Sequence, residues 1–106
     1  MPSPDAMLLE QLARSGSDLA KLHRIDFTLH FPTQKAAERA EFQLISLAFE
    51  TTVERGKTGA DWVIQASKNM YPVESDLLGL RDKLEVIARE NHGTYDGWRA
   101  KLKTQP

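Results

Sequence analysis

Three polar side chains alternate with apolar ones in the segment IDFTLHF, where Asp26, Thr28 and His30 stand two residues apart. Successive side chains of a β-strand point to opposite faces, so these three would form a row on one face. A carboxylate and an imidazole in such a row are groups that acid–base catalysis uses. The outward row of a half-exposed strand has the same composition, and the sequence favours that interpretation.

The three histidines, His23, His30 and His92, are the other candidates for acid–base or metal chemistry. None belongs to a His-x-x-x-His pattern or stands near paired carboxylates, and the chain has no cysteine. His23 is expected in a connecting segment, and His92 ends a predicted helix, where a cation complements the helix dipole. We therefore predict no catalytic residue, no metal site and no cofactor.

The elements that would hold these residues can be read from hydrophobic spacing. A helix begins near Pro4 and ends at Gly16, and the strand 25–31 is followed by a helix that Thr33 caps. The segment GKTG joins two strands as a hairpin, and a second helix leads to a closing strand, TYDGWRAKL. This order of strand, helix, strand, strand, helix, strand predicts an α+β ferredoxin-like sandwich, with an antiparallel sheet and both core helices on one face. We expect residues 1–24 to be an N-terminal helical extension and residues 25–103 to be the domain.

Individual residues refine this picture. Trp62 shares the more apolar face of its strand with Ile64 and Ala66, which favours a core position over an exposed anchor. Gly93 is expected to take a left-handed conformation that ends the last helix. Gly79 lies inside that helix at a cost of about 1 kcal/mol relative to alanine, which predicts that a neighbour packs closely against it.

Composition excludes several classes of function. The chain has 106 residues, a formal net charge of −1 and a pI near 6.3, so it carries no global basic field that would attract nucleic acid. The fold order is that of the RNA recognition motif, but the first strand shows Asp26, Thr28 and His30 outward and the third lacks the basic, glycine-containing signature. Direct nucleic-acid binding is not expected. The N-terminal apolar stretch is too short for a signal peptide or membrane span, and the absence of cysteine suits a cytoplasmic protein.

The stretch YDGW, Tyr95 to Trp98, places two large aromatic residues around an acid and a glycine. Asp-Gly often marks a two-residue hairpin, but the residues that follow must themselves form the last strand. A bulge or kink is the better interpretation, with Gly97 in a conformation that a side chain would disfavour and Asp96 accepting local backbone hydrogen bonds. Tyr95 and Trp98 suit the boundary between core and surface.

With this motif in this position, the chain resembles the family of regulator of ribonuclease activity B, the protein inhibitors of ribonuclease E. The segments that carry the resemblance are GSD at 16–18, followed by Leu22 and Ile25, and LRDKLEVIARENHGTYDGW at 80–98. The resemblance covers nearly the whole chain from Leu12 onward. It implies a ferredoxin-like, non-enzymatic protein that binds a ribonuclease E-type endoribonuclease or its RNA-degrading assembly.

The resemblance marks Tyr95, Asp96, Gly97 and Trp98 as signature positions, which would either build the last corner of the domain or contact the partner. The known inhibitors are strongly acidic with an acidic tail, whereas this chain is near neutral and ends in KLKTQP. A second hypothesis is a small-molecule-binding or enzymatic domain that uses Asp26, His30 and Trp62 on the open sheet face. The sequence leaves open whether that face is covered by the N-terminal helix or by another copy of the chain.

Overall fold

The computed structural model describes residues 4–100. Three helices and four strands follow one another along the chain in the predicted order. They are α1 (Pro4–Arg14), β1 (His23–Phe31), α2 (Gln34–Ser46), β2 (Glu50–Arg55), β3 (Trp62–Met70), α3 (Glu74–Glu90) and β4 (Thr94–Ala100).

The four strands form one antiparallel sheet in the order β2-β3-β1-β4. This is the strand order of the ferredoxin-like sandwich, and the predicted α+β architecture is confirmed. The central strand β1 alternates strictly, with Ile25, Phe27, Leu29 and Phe31 buried against the helices. The core is completed by residues from α2, β3, α3 and β4 and by Phe49, which precedes β2. They are Ala36, Ala37, Ala40, Leu44, Phe49, Ile64, Ala66, Leu77, Leu84, Ile87, Ala88 and Trp98.

The cap of α2 agrees with the prediction. Thr33 has an extended backbone, and its hydroxyl accepts a hydrogen bond of 3.1 Å from the backbone N–H of Ala36. An N-cap of this kind satisfies one of the donors that a helix start leaves free. It fixes where the chain leaves β1 and turns onto the core face of the sheet.

The helix α1 does not cover the other side of the sheet. It packs beside α3 and β4, with Leu12 buried and Asp5 bonded to the indole of Trp98. The face of the sheet away from the helices, here called the open face, is therefore not covered by any helix within residues 4–100. The predicted division at residue 24 stays a prediction, because α1 packs on the domain and residues 101–103 lie outside the described part.

One histidine lies in an element that the sequence did not predict for it. His23 begins β1 instead of standing in a connection, and it is fully buried. Its Nδ1–H donates to the carbonyl oxygen of Lys21 over 2.8 Å, and its Nε2 lies within hydrogen-bond distance, 2.6 Å, of the Ser17 hydroxyl oxygen. This pair of bonds ties the turn after α1 to the first strand and gives Ser17 a structural role.

Two glycines differ from their predicted roles. At the end of α3 the left-handed conformation belongs to His92, with φ 61°, and not to Gly93. Gly93 is required for a different reason, since a Cβ there would lie 2.5 Å from Cδ1 of Phe31 and closer still to the carbonyl oxygen of His30. The expectation of close packing at Gly79 is wrong, because a Cβ at that position would have no neighbour within 4 Å.

Candidate functional site

The motif Tyr95 to Trp98 forms a β-bulge in the edge strand β4. Leu29 of β1 pairs with Tyr95 and Phe27 pairs with Trp98, so β4 has one residue more than β1 between these two pairs. Gly97 has φ 98°, a conformation that L side chains rarely adopt. The bulge keeps both aromatic residues on the core side of the sheet and turns Asp96 to the open face.

Trp98 anchors the N-terminal helix. Its side chain is only 7% exposed, and its indole N–H donates to Oδ1 of Asp5 over 2.9 Å. Asp5 is itself buried, and its second oxygen, Oδ2, has no hydrogen-bond partner. Trp98 is therefore a core residue that attaches α1 to the sheet.

Tyr95 faces the same region. Its hydroxyl is buried without a hydrogen-bond partner. Burial raises the pKa of this phenol well above its ordinary value, and the negative charge of Asp5 adds to the rise. The phenol stays neutral in the physiological range, so Tyr95 contributes packing and supplies no acid–base group.

Asp96 differs from the other signature residues because its side chain is 69% exposed. The expectation that it accepts local backbone bonds is replaced by a contact across the sheet, where its Oδ2 lies 3.3 Å from Nε2 of His30. Asp61, which directly precedes β3, places its Oδ2 2.7 Å from Nδ1 of the same ring. His30, Asp61 and Asp96, here called the His30 cluster, join β1, the β2–β3 hairpin and the β4 bulge on the open face.

The charge state of His30 decides how many of these bonds exist. Partial burial of the ring would lower its pKa, but hydrogen bonds to Asp61 and Asp96 and the charges of both carboxylates outweigh this and raise it above the ordinary 6.5. A neutral imidazole has one N–H and can donate to only one of the two carboxylates. The protonated ring donates to both.

This geometry predicts a pH dependence of stability. Because the folded pKa of His30 is raised, its contribution is fully present below pH 6.5 and is lost as the pH rises through the folded value. We expect the difference in free energy of unfolding between the wild type and His30→Gln to shrink over that window, as measured by urea denaturation. The subtraction cancels titrations that both proteins share. A difference that stays constant or grows with pH would contradict the protonated cluster.

Other polar side chains on the open face also bond in pairs. The Thr28 hydroxyl donates to Gln65 over 3.0 Å, and the Ser67 hydroxyl donates to Asp26. Arg24 forms an ion pair of 2.8 Å with Glu50. The row Asp26, Thr28 and His30 thus exists as predicted, but Asp26 and Thr28 bond to β3 and His30 bonds to Asp61 and Asp96. The row does not form an acid–base pair.

The open face is more acidic than the whole chain. Within residues 4–100 it carries five carboxylates, Asp26, Glu50, Glu54, Asp61 and Asp96, and two arginines, Arg24 and Arg99. With His30 neutral, the excess is three negative charges, while the complete chain has a net charge of −1. The near-neutral total therefore conceals an acidic sheet face and a remainder with two excess positive charges.

Trp62 does not lie on the same face as Asp26 and His30, so the hypothesis that these three residues share the open face is wrong. Trp62 pairs with Phe31 on the helix side of the sheet and packs against the core. The centroid of its ring lies 5.5 Å from Cζ of the Arg55 guanidinium. Asp26 and His30 lie on the opposite side. Within the described strands the open face shows no phenylalanine, tyrosine or tryptophan, so it lacks the stacking platform of an RNA recognition motif.

Sequence reasoning missed Asp61, which makes the shorter contact with His30. Its only signal was its position between the GKTG turn and the third strand. Among residues 4–100 no group of three His, Asp or Glu side chains could hold a metal ion. No helix in this part of the chain is long and apolar enough to cross a membrane.

Comparison with known proteins adds to this geometry. A search of curated proteins finds no match. The model of one protein family, described as regulator of ribonuclease activity B, matches residues 4–99. That range takes in all three helices, the His30 cluster and the bulge of β4 through Arg99. The chain belongs to the regulator of ribonuclease activity B family.

Proposed function

We propose that this protein binds an endoribonuclease of the ribonuclease E type, or its RNA-degrading assembly, and modulates RNA turnover without catalysing a reaction. Membership of the regulator of ribonuclease activity B family is the observation that carries the proposal. The histidine on the open face adds support, because both of its ring nitrogens contact carboxylates and neither is presented to a substrate. Such a role would place the protein in the cytoplasm, where RNA is degraded.

The open face is the surface we assign to the nuclease. Its acidic excess complements a basic segment of the kind that binds RNA, and electrostatic complementarity speeds association and suppresses wrong partners. The same charge repels phosphate groups, which argues against direct binding of nucleic acid to this face. Of the signature residues, Asp96 supports this assignment, because its exposed side chain lies on that face, whereas Tyr95 and Trp98 lie on the core side.

The test uses purified protein and a purified ribonuclease E-type enzyme after nuclease treatment has removed RNA. We expect the enzyme to be retained on the tagged protein and its cleavage of a model transcript to change. The double variant Glu54→Lys/Asp96→Lys should weaken binding about tenfold or more, because it places cations against the basic segment. A matched variant, Glu10→Lys/Asp82→Lys, makes the same charge change on α1 and α3 and should bind like the wild type.

Several outcomes are informative. Loss of binding when RNA is destroyed, or no binding between the purified proteins, would contradict the proposed partner. Equal binding by the wild type and Glu54→Lys/Asp96→Lys would contradict the open face as the contact surface. Trp98→Ala is unsuitable here, since Trp98 is a core residue and its loss would release a partner through unfolding.

A further inference from the structure

The outer surface of α2 carries a stripe formed by Lys35, Glu38, Arg39 and Phe42. The spacing i, i+3, i+4 and i+7 puts these residues on one face of the helix, apart from the alanines and Leu44 that it buries. Phe42 is 74% exposed, more than any other large hydrophobic residue in 4–100, and Ile45 one turn later is 56% exposed. An exposed apolar pair rimmed by charged residues is a candidate contact surface.

A hollow lies beside the exposed ring. It has a volume of about 650 Å³ and is bounded by the α2 stripe together with Gln43, Glu90 and Asn91. Two of these residues are held in place by hydrogen bonds, because the Asn91 amide donates to both the Gln43 side chain and the carbonyl oxygen of Ile87. The same surface therefore presents a protruding aromatic ring and a depression next to it.

The charges around the hollow show what kind of partner fits. Lys35, Glu38, Arg39 and Glu90 form no ion pair with any described residue. They comprise two cations and two anions, so a strongly charged partner such as a basic peptide or an RNA gains little from the set as a whole. A surface with the same alternation of signs can pair the anion and the cation at the centre of the stripe, Glu38 and Arg39. A second copy of this chain is such a surface.

We propose that this face, formed by α2 and the end of α3, is an interface between two copies of the chain. A two-fold axis between Glu38 and Arg39, with the two α2 helices antiparallel, brings Glu38 of each copy to Arg39 of the other. The same register lays Phe42 of each copy over the Lys35 stem at the edge of the other hollow, where a cation and a ring attract each other. Isologous contacts of this kind require one self-complementary patch, which this surface supplies.

This inference goes beyond the proposed function and does not depend on it. The interface lies on the helix side of the sheet, so both open faces point away from the axis and stay accessible. A dimer would then present two acidic sheet faces to a ribonuclease assembly.

The first test is the molecular mass of the purified full chain by sedimentation equilibrium at protein concentrations between about 1 µM and 1 mM. This range covers the dissociation constants expected of an interface of modest size. We expect a reversible dimer. Phe42→Glu should raise the dissociation constant at least about 30-fold, the effect of removing an anchor residue. Met7→Glu changes a half-exposed apolar residue on α1, 52% exposed, and should leave the dissociation constant unchanged.

The second test exchanges the charges at the axis. Glu38→Arg places arginine against arginine in the dimer, and Arg39→Glu places glutamate against glutamate, so each should weaken dimerisation about five- to tenfold. The double variant Glu38→Arg/Arg39→Glu restores opposite pairs and should return close to the wild-type value. Recovery in the double variant would support this register, because general changes in surface charge would not produce it.

The proposal is overturned if the wild type is monomeric at 1 mM, or if Phe42→Glu and Met7→Glu dimerise equally well. It is also overturned if a wild-type monomer binds the ribonuclease through Phe42, since the face would then belong to that partner. None of these outcomes depends on the open face, so failure of the dimer and failure of the proposed function can be told apart. Circular dichroism of each variant shows whether it is folded before its mass is interpreted.

Discussion

Trp98→Ala is expected to lower the free energy of unfolding by about 3–5 kcal/mol, the range for deleting a large buried aromatic side chain. Trp98 is 7% exposed and lies where β4, β1 and α1 meet. The substitution leaves a cavity and also removes the donor to Asp5, so a buried carboxylate loses a hydrogen bond. Small domains have only about 5–15 kcal/mol of stability, so this variant should be close to unfolding. Urea denaturation followed by far-ultraviolet circular dichroism measures the change.

Trp98→Phe separates the two contributions. It keeps most of the aromatic volume but has no N–H, so the remaining cost is chiefly that of leaving Asp5 unbonded, about 1–3 kcal/mol. Proteolysis should then cut first in or near α1, since that bond attaches α1 to the sheet. A loss below about 1 kcal/mol for Trp98→Ala would mean that the indole is not packed as described, and would return Trp98 to the candidates for partner contact.

Local pattern was sufficient to predict most of the fold. The strict alternation from Ile25 to Phe31 identified β1 and its buried face, and Thr33 marked the start of α2. Asp-Gly at a closing strand with no room for a hairpin predicted the bulge, which the extra residue of β4 in its pairing with β1 confirms, and Gly97 there has φ 98°. Each of these signals acts between residues that are close in sequence, so no knowledge of the packed structure was needed.

The candidate site was harder to predict because its contacts join distant parts of the chain. His30 meets Asp61 and Asp96, which lie 31 and 66 residues further on. Their approach depends on the register of three strands and on the extra residue in β4, and alternation alone does not determine these. The face of Trp62 was predicted correctly by its apolar neighbours, but the hypothesis of an open-face pocket still placed it with His30. A shift of one residue in the register of β3 would move Trp62 from the core side to the open face.

Gly93→Ala is the second large effect we expect, a loss of about 3 kcal/mol in the free energy of unfolding, at the upper end for overpacking. The added methyl group would lie 2.5 Å from the ring of Phe31, and nearer still to the carbonyl oxygen of His30. The ring is buried and the carbonyl belongs to the central strand, so neither can move without disturbing the sheet. A shift of β1 would also displace His30 from Asp61 and Asp96.

Gly79→Ala is the matched control for this prediction. It also replaces a glycine by alanine, but at a position inside α3 where the new Cβ has no neighbour within 4 Å. Alanine is favoured over glycine inside a helix, so this variant should gain up to about 1 kcal/mol. When both variants are denatured under one set of conditions, we therefore expect changes of opposite sign in the free energy of unfolding. A loss at Gly93 no larger than about 0.5 kcal/mol would show that the α3–β4 connection can move away from β1. Glycine would then not be required there, and the lower entropy of the unfolded chain with alanine would offset part of the remaining cost.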